Sequence, residues 1–336
     1  MTTIDADAHV IETECTWEYG QPGEEKLMPR ALTQGGVDYW VIDDRLFLRR
    51  RNFGHETPVE SQELRDVSAR LRHMDELEID VQVIYPTLCL IPLTRRADVE
   101  LAINRSYNRW MADVWSQGNG RLRWAAVVPW LSIDEAVAET RWAKEHGACA
   151  VFIRGLEADR TPSDPYFFPV YAEAERLDLP LCLHAANASF GRQELYVNDL
   201  MSKFKLPVVG AFHEIVAAGL TEQFPRLRFG FIEATAQWVP WAVLFTKQIL
   251  AREKRPIPEN LMAAHRLYVT CELIDDLEYI LRSAGEDNLL IGTDYGHADT
   301  TAVLEALQQL DRQEDRVSRT AIQKILEANP RALYAL

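Results

Sequence analysis

The chain has 336 residues, 47% of them hydrophobic and 26% charged, which supplies enough apolar material for one large core and rules against disorder. With 36 basic residues against 51 acidic ones the formal charge is −15, which argues against a general binder of nucleic acid or anionic membrane, because phosphate-rich partners need clustered Lys and Arg. Cys15, Cys89, Cys149, Cys182 and Cys271 are odd in number and scattered without C-x-x-C spacing, so neither a disulfide framework nor a zinc–thiolate cluster is expected. No run approaches the roughly 18 apolar residues of a membrane span, and the opening MTTIDADAHV is strand-like rather than leader-like, so the expectation is a cytoplasmic protein.

In chain order, the first expected strand is Thr3–Val10, and seven further short apolar runs follow: Val81–Tyr85, Trp124–Val128, Ala150–Ile153, Leu179–Leu183, Arg228–Ile232, Leu267–Cys271 and Leu289–Ile291. Between them the spacing predicts helices over Asp98–Ser116, Asp134–Glu145, Pro169–Leu177, Val208–Gln223, Trp238–Glu253 and Leu273–Ser283, with two more within Ala302–Ala328. Near-continuous apolar strands alternating with amphipathic helices mean an α/β fold with a parallel sheet, and eight such units favour a closed (β/α)8 TIM barrel spanning 1–336 as a single domain. No G-x-G-x-x-G or G-x-x-x-x-G-K-[ST] follows any strand, so the nucleotide-binding alternative lacks its phosphate loop. Residues 13–70 interrupt the alternation. Their YWVIDDRLFLRR reads as a β-hairpin about Asp43-Asp44, inserted after the first strand where it would cover the barrel mouth as a lid or meet another subunit. The basic run Arg49-Arg50-Arg51 in this insertion is expected to be a solvated loop.

Three features carry chemistry. In Asp5-Ala6-Asp7-Ala8-His9, alternate residues share a strand face, so Asp7 and His9 project together with Asp5 one step lower. The alternative is a surface strand of alternating polarity. His184 closes the apolar run Leu-Cys-Leu-His, where a buried strand reaches the mouth; a hydrogen-bonded core histidine has the same signature. Asp294, in GTDYGH after the last strand, is a metal ligand or a helix N-cap. Together, imidazole and carboxylate from the first, fifth and last strands suit a divalent transition metal, Zn²⁺ first with Mn²⁺ or Fe²⁺ as alternatives, and disfavour an oxygen-only Ca²⁺ site.

These motifs resemble the amidohydrolase-related family that includes aminocarboxymuconate semialdehyde, γ-resorcylate and 5-carboxyvanillate decarboxylases. The resemblance rests on DADAHVIE, MDELEIDVQVIYPT, DPYFFPVYAEAERLDLPLCLH, GLTEQFPRLRFGFIEATAQWVPW, IGTDYGHAD and ANPRALYAL, spread over nearly the whole chain. It implies the same barrel, with Asp7, His9, His184 and Asp294 as metal ligands and Asp294 also as a proton carrier. It implies a departure too: relatives place a histidine at the end of the sixth barrel strand, where this chain has Glu233. Glu233 is a general acid or base, a direct ligand, or the partner of a nearby Arg. Arg154, after the fourth strand, either grips a substrate carboxylate or makes a salt bridge. His297 is expected beside Asp294 or the substrate, Glu12 as a supporting hydrogen-bond partner, and His213 as a packing residue. Trp238, Trp241 and Tyr295 are candidates for an aromatic pocket wall.

The leading expectation is non-oxidative decarboxylation of an aromatic or unsaturated carboxylic acid, with His184, Glu233 and Asp294 as catalytic groups. The acidic first ligand Asp7 favours it, since the family's first ligand is His in some members and several of its aromatic-acid decarboxylases use an acidic residue there. Metal-dependent hydrolysis of an amide, lactone or ester is the second reading, and a non-catalytic binding barrel the third. The expected partner is a small carboxylate or carbonyl substrate, and the expected assembly a homo-oligomer.

Overall fold

The apolar runs become strands buried on both faces, and in the computed structural model they assemble as expected. The structure describes residues 2–50, 52–186, 189–191, 199, 201–298, 302–313 and 316–336. Its strands are β1 (Ile4–His9), β2 (Arg30–Gln34), β3 (Val37–Ile42), β4 (Arg45–Leu48), β5 (Val81–Tyr85), β6 (Leu122–Val127), β7 (Ala148–Arg154), β8 (Leu181–His184), β9 (Phe229–Ile232), β10 (Leu267–Cys271) and β11 (Leu289–Ile291). The order β1-β5-β6-β7-β8-β9-β10-β11 makes one eight-stranded sheet whose neighbours pair in parallel. It closes just beyond β11, where the Asp294 amide donates to the Asp7 carbonyl at 2.9 Å and the His9 amide to the Tyr295 carbonyl at 2.8 Å. Closure removes both sheet edges and leaves a barrel with its active end at the strand C-termini.

The helices α1 (Val67–Glu76), α2 (Ala97–Gln117), α3 (Ile133–Glu145), α4 (Phe168–Arg176), α5 (Leu206–Ala217), α6 (Val239–Arg252) and α7 (Leu277–Ala284) lie between the strands. The helix expected over Val208–Gln223 is broken: Gly219 takes φ +77, a left-handed conformation suited to glycine, and a separate turn Leu220–Gln223 follows. The stretch expected over Ala302–Ala328 holds Ala306–Asp311 and a helical run from Arg319 onward that reaches Tyr334; residues 299–301 and 314–315 lie outside the described ones. Among the described residues no helix is long and apolar enough to cross a membrane.

The insertion is a three-stranded antiparallel sheet, β2-β3-β4, rather than a hairpin alone. Every residue of β2 is exposed, so it carried no apolar alternation to detect. Asp43 and Asp44 form the β3–β4 turn with φ +48 and +58, the twist that two-residue hairpins prefer. Asp43 accepts from Thr94 Oγ1 at 2.7 Å, and the Arg45 guanidinium lies 4.4 Å from the Phe190 ring centre. The Gly54 amide donates to the Gly296 carbonyl at 2.8 Å. These contacts reach the loops after β5, β8 and β11, which places the insertion at the barrel mouth. Arg49 and Arg50 are not merely solvated, for they pair with Glu14 and Glu63; Arg51 lies outside the described residues.

Closure imposes one sharp steric demand. A Cβ on Gly292 would lie 2.3 Å from Asp7 Cβ and 2.9 Å from the Asp7 amide, because β11 crosses directly against β1. Gly292→Ala is therefore expected to lose about 2 kcal/mol or more of stability by forcing backbone apart. Urea unfolding checks this, and an unchanged midpoint would show that the strands can part without cost.

Candidate metal centre

The strand alternation that buries β1 aims Asp7 and His9 at the same space as His184, the last residue of β8. Asp294 follows β11 by three residues in a left-handed conformation (φ +52) that Asp tolerates, and all four side chains are buried. Asp7 Oδ1 lies 3.1 Å from His184 Nε2 and 3.3 Å from His9 Nε2, and His9 Nε2 lies 3.4 Å from Asp294 Oδ1. Ligand atoms of Asp7, His9 and His184 form one group within 4.8 Å of each other, and those of His9, Asp294 and His297 form a second.

The opposite edge of each ring shows why a cation belongs there. His9 Nδ1 faces the Pro86 carbonyl at 2.9 Å and His184 Nδ1 the Ala185 carbonyl at 2.9 Å. A carbonyl can only accept, so both Nδ1 atoms carry hydrogen and both Nε2 atoms point at carboxylate oxygens, His9 with a bare lone pair and His184, when protonated, donating to Asp7 Oδ1 at 3.1 Å. Burial and the neighbouring His297 hold the His9 pKa down at about 3, so its imidazole is neutral. Its Nε2 has no hydrogen-bond partner among the described residues. A buried lone pair against two carboxylates is repulsive, and a divalent cation between them reverses the sign. The Asp7 carboxyl is held well below its usual range: burial works to raise it, but His184 and His9 outweigh that. For His184 burial acts downward, yet Asp7 carries its pKa above the ordinary value.

The loop after β5 orients this cluster. Glu12 accepts from the Thr87 and Leu88 amides at 3.1 and 2.8 Å, fixing the loop that presents the Pro86 carbonyl to His9. Thr87 Oγ1 meets His297 Nε2 at 2.9 Å, and His297 Nδ1 lies 2.6 Å from Asp294 Oδ1. The His297 ring also stacks on His9 with centres 3.8 Å apart. Glu12 thus acts through the backbone of the neighbouring loop, and burial lifts its carboxyl to about 7.

Sequence reasoning placed Asp7, His9, His184, Asp294, His297 and Glu233 together, and the structure gathers all six. Glu233 stands just past β9 with Oε2 3.4 Å from His184 Nδ1. Its cationic neighbour is a lysine, not an arginine: Lys205 Nζ lies 3.9 Å from Glu233 Oε1 and 3.8 Å from Glu272 Oε1, and donates to the Glu233 carbonyl. Neither Lys205 nor Glu272 was singled out from sequence. Arg154 is not available to substrate. Its five N–H groups go to both Glu157 oxygens at 2.8 and 2.7 Å and to the carbonyls of Cys89, Leu90 and Ile91. The aromatic wall proposed from sequence does not form among the described residues: Trp238 packs on Phe212 and Phe231, Trp241 is exposed on the outer face of α6, and Tyr295 lies under Arg70. His213 packs between helices, meeting Thr246 Oγ1 at 2.9 Å.

With this geometry established, comparison with known proteins adds kinship. A family model described as amidohydrolase matches residues 4–336. The γ-resorcylate decarboxylase of Rhodococcus jostii (strain RHA1) is 28% identical over 177 residues, 47% of this chain and 53% of that protein. The chain thus matches about half the length of this curated relative. Among solved structures, an amidohydrolase of Mycobacterium avium subsp. paratuberculosis K-10 superposes with a TM-score of 0.83 at 18% identity, covering 99% of each chain. The 5-carboxyvanillate decarboxylase of Novosphingobium aromaticivorans DSM 12444, solved with manganese and 4-hydroxy-3-methoxy-5-nitrobenzoic acid, gives 0.72 at 14% identity, covering 100% of this chain and 96% of that one. At such identities the structures establish the shared barrel.

Because a proton on His184 competes with a metal ion, uptake has a definite pH sign. Below the raised pKa of His184 the ion must displace that proton, so affinity is expected to climb toward about tenfold per pH unit there and flatten above it. Zn²⁺ titrations with a competing chelator across this range measure it, and a pH-independent affinity would exclude His184 from the site.

Proposed function

The chain belongs to the amidohydrolase family, and on that premise we propose that it is a metal-dependent enzyme that removes CO₂ from an aromatic or unsaturated carboxylic acid. The observation that carries the reading is the convergence of the His9 and His184 Nε2 atoms on the Asp7 and Asp294 carboxylates. Asp7, His9, His184 and Asp294 would hold the ion, and this nitrogen–oxygen set suits Zn²⁺ first, with Mn²⁺ or Fe²⁺ close behind. Bound there, the metal would supply Lewis-acid charge toward the substrate carboxylate and a neighbouring oxygen.

The chain's own residues would do the rest. With Arg154 committed to Glu157, Lys205 is a cation beside Glu233 at the mouth, and it is partly neutralised by Glu233 and Glu272. The substrate anion would therefore rely chiefly on the metal centre. Asp294 in its protonated form would deliver that proton to the ring carbon bearing the carboxylate. The C–C bond to the carboxylate would then break, its electron pair would return to the ring, and CO₂ would leave. The His297 Nδ1–H at 2.6 Å would stabilise the Asp294 carboxylate left behind. No organic cofactor is required, since the protonated ring is itself the electron sink. Glu233 would hold the His184 ring rather than touch substrate, given its 3.4 Å approach to Nδ1.

Supporting observations extend to setting. The five cysteines are all unpaired, which fits a reducing, cytoplasmic compartment. The exposed Trp241, Leu244 and Phe245 on α6 fit a contact between subunits of a homo-oligomer, and the insertion at the mouth fits a lid.

Incubation of metal-loaded protein with hydroxybenzoates, alongside lactones and amides, tests the reaction. CO₂ release from at least one acid is expected; cleavage of lactone or amide with no CO₂ from any acid would make hydrolysis the activity. Asp294→Asn is expected to lower kcat by about 10²-fold or more with the barrel still folded. Glu233→Gln is expected to weaken metal affinity about tenfold with kcat of the loaded enzyme little changed. A large kcat loss at full metal content would instead make Glu233 the acid–base group.

A further inference from the structure

Beside the metal centre, and lined by none of its residues, lies a second cavity of about 210 Å³ bounded by the segments after β5, β6 and β7 and by Ser189 and Phe190 after β8. Arg154 is the shared wall: it pairs with His184 in the β7–β8 register, yet its side chain lines the cavity. Apolar walls come from Ile103, Val128 and Trp130, and two polar groups enter from one face of α2. Glu100 and Asn104 stand one helical turn apart and so project together.

Asn104 is 5% exposed and lines this space, and neither end of its carboxamide has a hydrogen-bond partner among the described residues. A carboxamide that opens into a largely apolar cavity gains from a ligand that supplies both a donor and an acceptor. Glu100 has one oxygen engaged, Oε2 accepting from the Leu131 amide at 2.7 Å. Burial lifts its carboxyl to about 8, so at neutral pH it is mostly protonated and offers a donor without charge. The one buried cation, Arg154, has every N–H committed to Glu157 and backbone carbonyls, and Arg95 at the exposed rim pairs with Asp159, so the cavity offers an anion no uncommitted buried cation. The volume exceeds the roughly 150 Å³ of an engineered cavity that admits benzene.

We propose that this cavity is a ligand site separate from the metal centre, which takes an uncharged single-ring aromatic carboxamide through Asn104 and Glu100. The ring lies against Trp130 and the aliphatic wall. Asn104 exchanges hydrogen bonds with the ligand amide, its Oδ1 accepting from the ligand N–H and its Nδ2–H donating to the ligand carbonyl. Glu100 adds a second donor to that carbonyl.

Benzamide is the probe, with benzoate as the charged control, titrated calorimetrically into metal-loaded and chelator-treated protein. Saturable one-to-one binding of benzamide is expected in both forms, with benzoate about tenfold weaker or worse. Asn104→Leu is expected to weaken benzamide about tenfold. Leu131→Trp, which fills the cavity from its half-buried edge, is expected to abolish binding while leaving metal content unchanged, and it decides the matter if Asn104→Leu does not fold. Absence of saturable binding, loss of binding on chelation, or unaltered binding in Leu131→Trp would overturn the proposal. None of these outcomes depends on whether the enzyme releases CO₂.

Discussion

Two imidazole Nε2 atoms and two carboxylates meet in a space from which water is largely excluded. His9 and His184 are each pinned at Nδ1 by a backbone carbonyl, so their Nε2 atoms have no freedom to turn away from Asp7 and Asp294. In a low-dielectric interior such an arrangement is expensive without a compensating positive charge. A proton on His184 offsets part of that cost, and a divalent cation would offset more. The rest of the mouth is organised around this requirement: Glu12 steadies the loop that carries Pro86 and Thr87, Thr87 steadies His297, and His297 steadies Asp294.

Barrel closure and site assembly are one event in this chain. The hydrogen bonds that join β11 to β1 are made by the backbones of Asp7, His9, Asp294 and Tyr295, so the residues that close the sheet also carry the cluster. Below them Asp5 accepts from the Thr293 amide at 2.9 Å, from Thr293 Oγ1 at 2.6 Å and from Gln82 at 2.9 Å. Arg70 links Gln82 to the His9 carbonyl. A buried polar layer of this kind is stable only when nearly every member is matched, which ties the geometry of the metal centre to the stability of the fold.

Much of this was legible because strand burial and strand ends leave strong marks. Val81–Tyr85, Leu267–Cys271 and Leu289–Ile291 have the limits expected from their apolar runs, and His184 and Asp294 stood out as polar residues at the ends of such runs. What escaped depended on partners remote in sequence or on direction. Lys205 meets Glu233 across 28 residues and Thr87 meets His297 across 210, and no local pattern encodes either pair. Arg154 was ambiguous because a strand-end arginine looks the same whether it turns toward the mouth or toward Glu157 three residues on; the nearby acid was the available clue. β2 was invisible for the opposite reason, since it buries nothing.

The central claim is that these strand-end side chains jointly hold one divalent metal, and K-edge X-ray absorption on zinc-reconstituted protein tests it most directly. The account predicts one tightly held ion per chain whose coordination contains two imidazoles with oxygen ligands, and loss of one imidazole from the spectrum in His184→Ala. A spectrum without imidazole scattering, or one unchanged by His184→Ala, would contradict it.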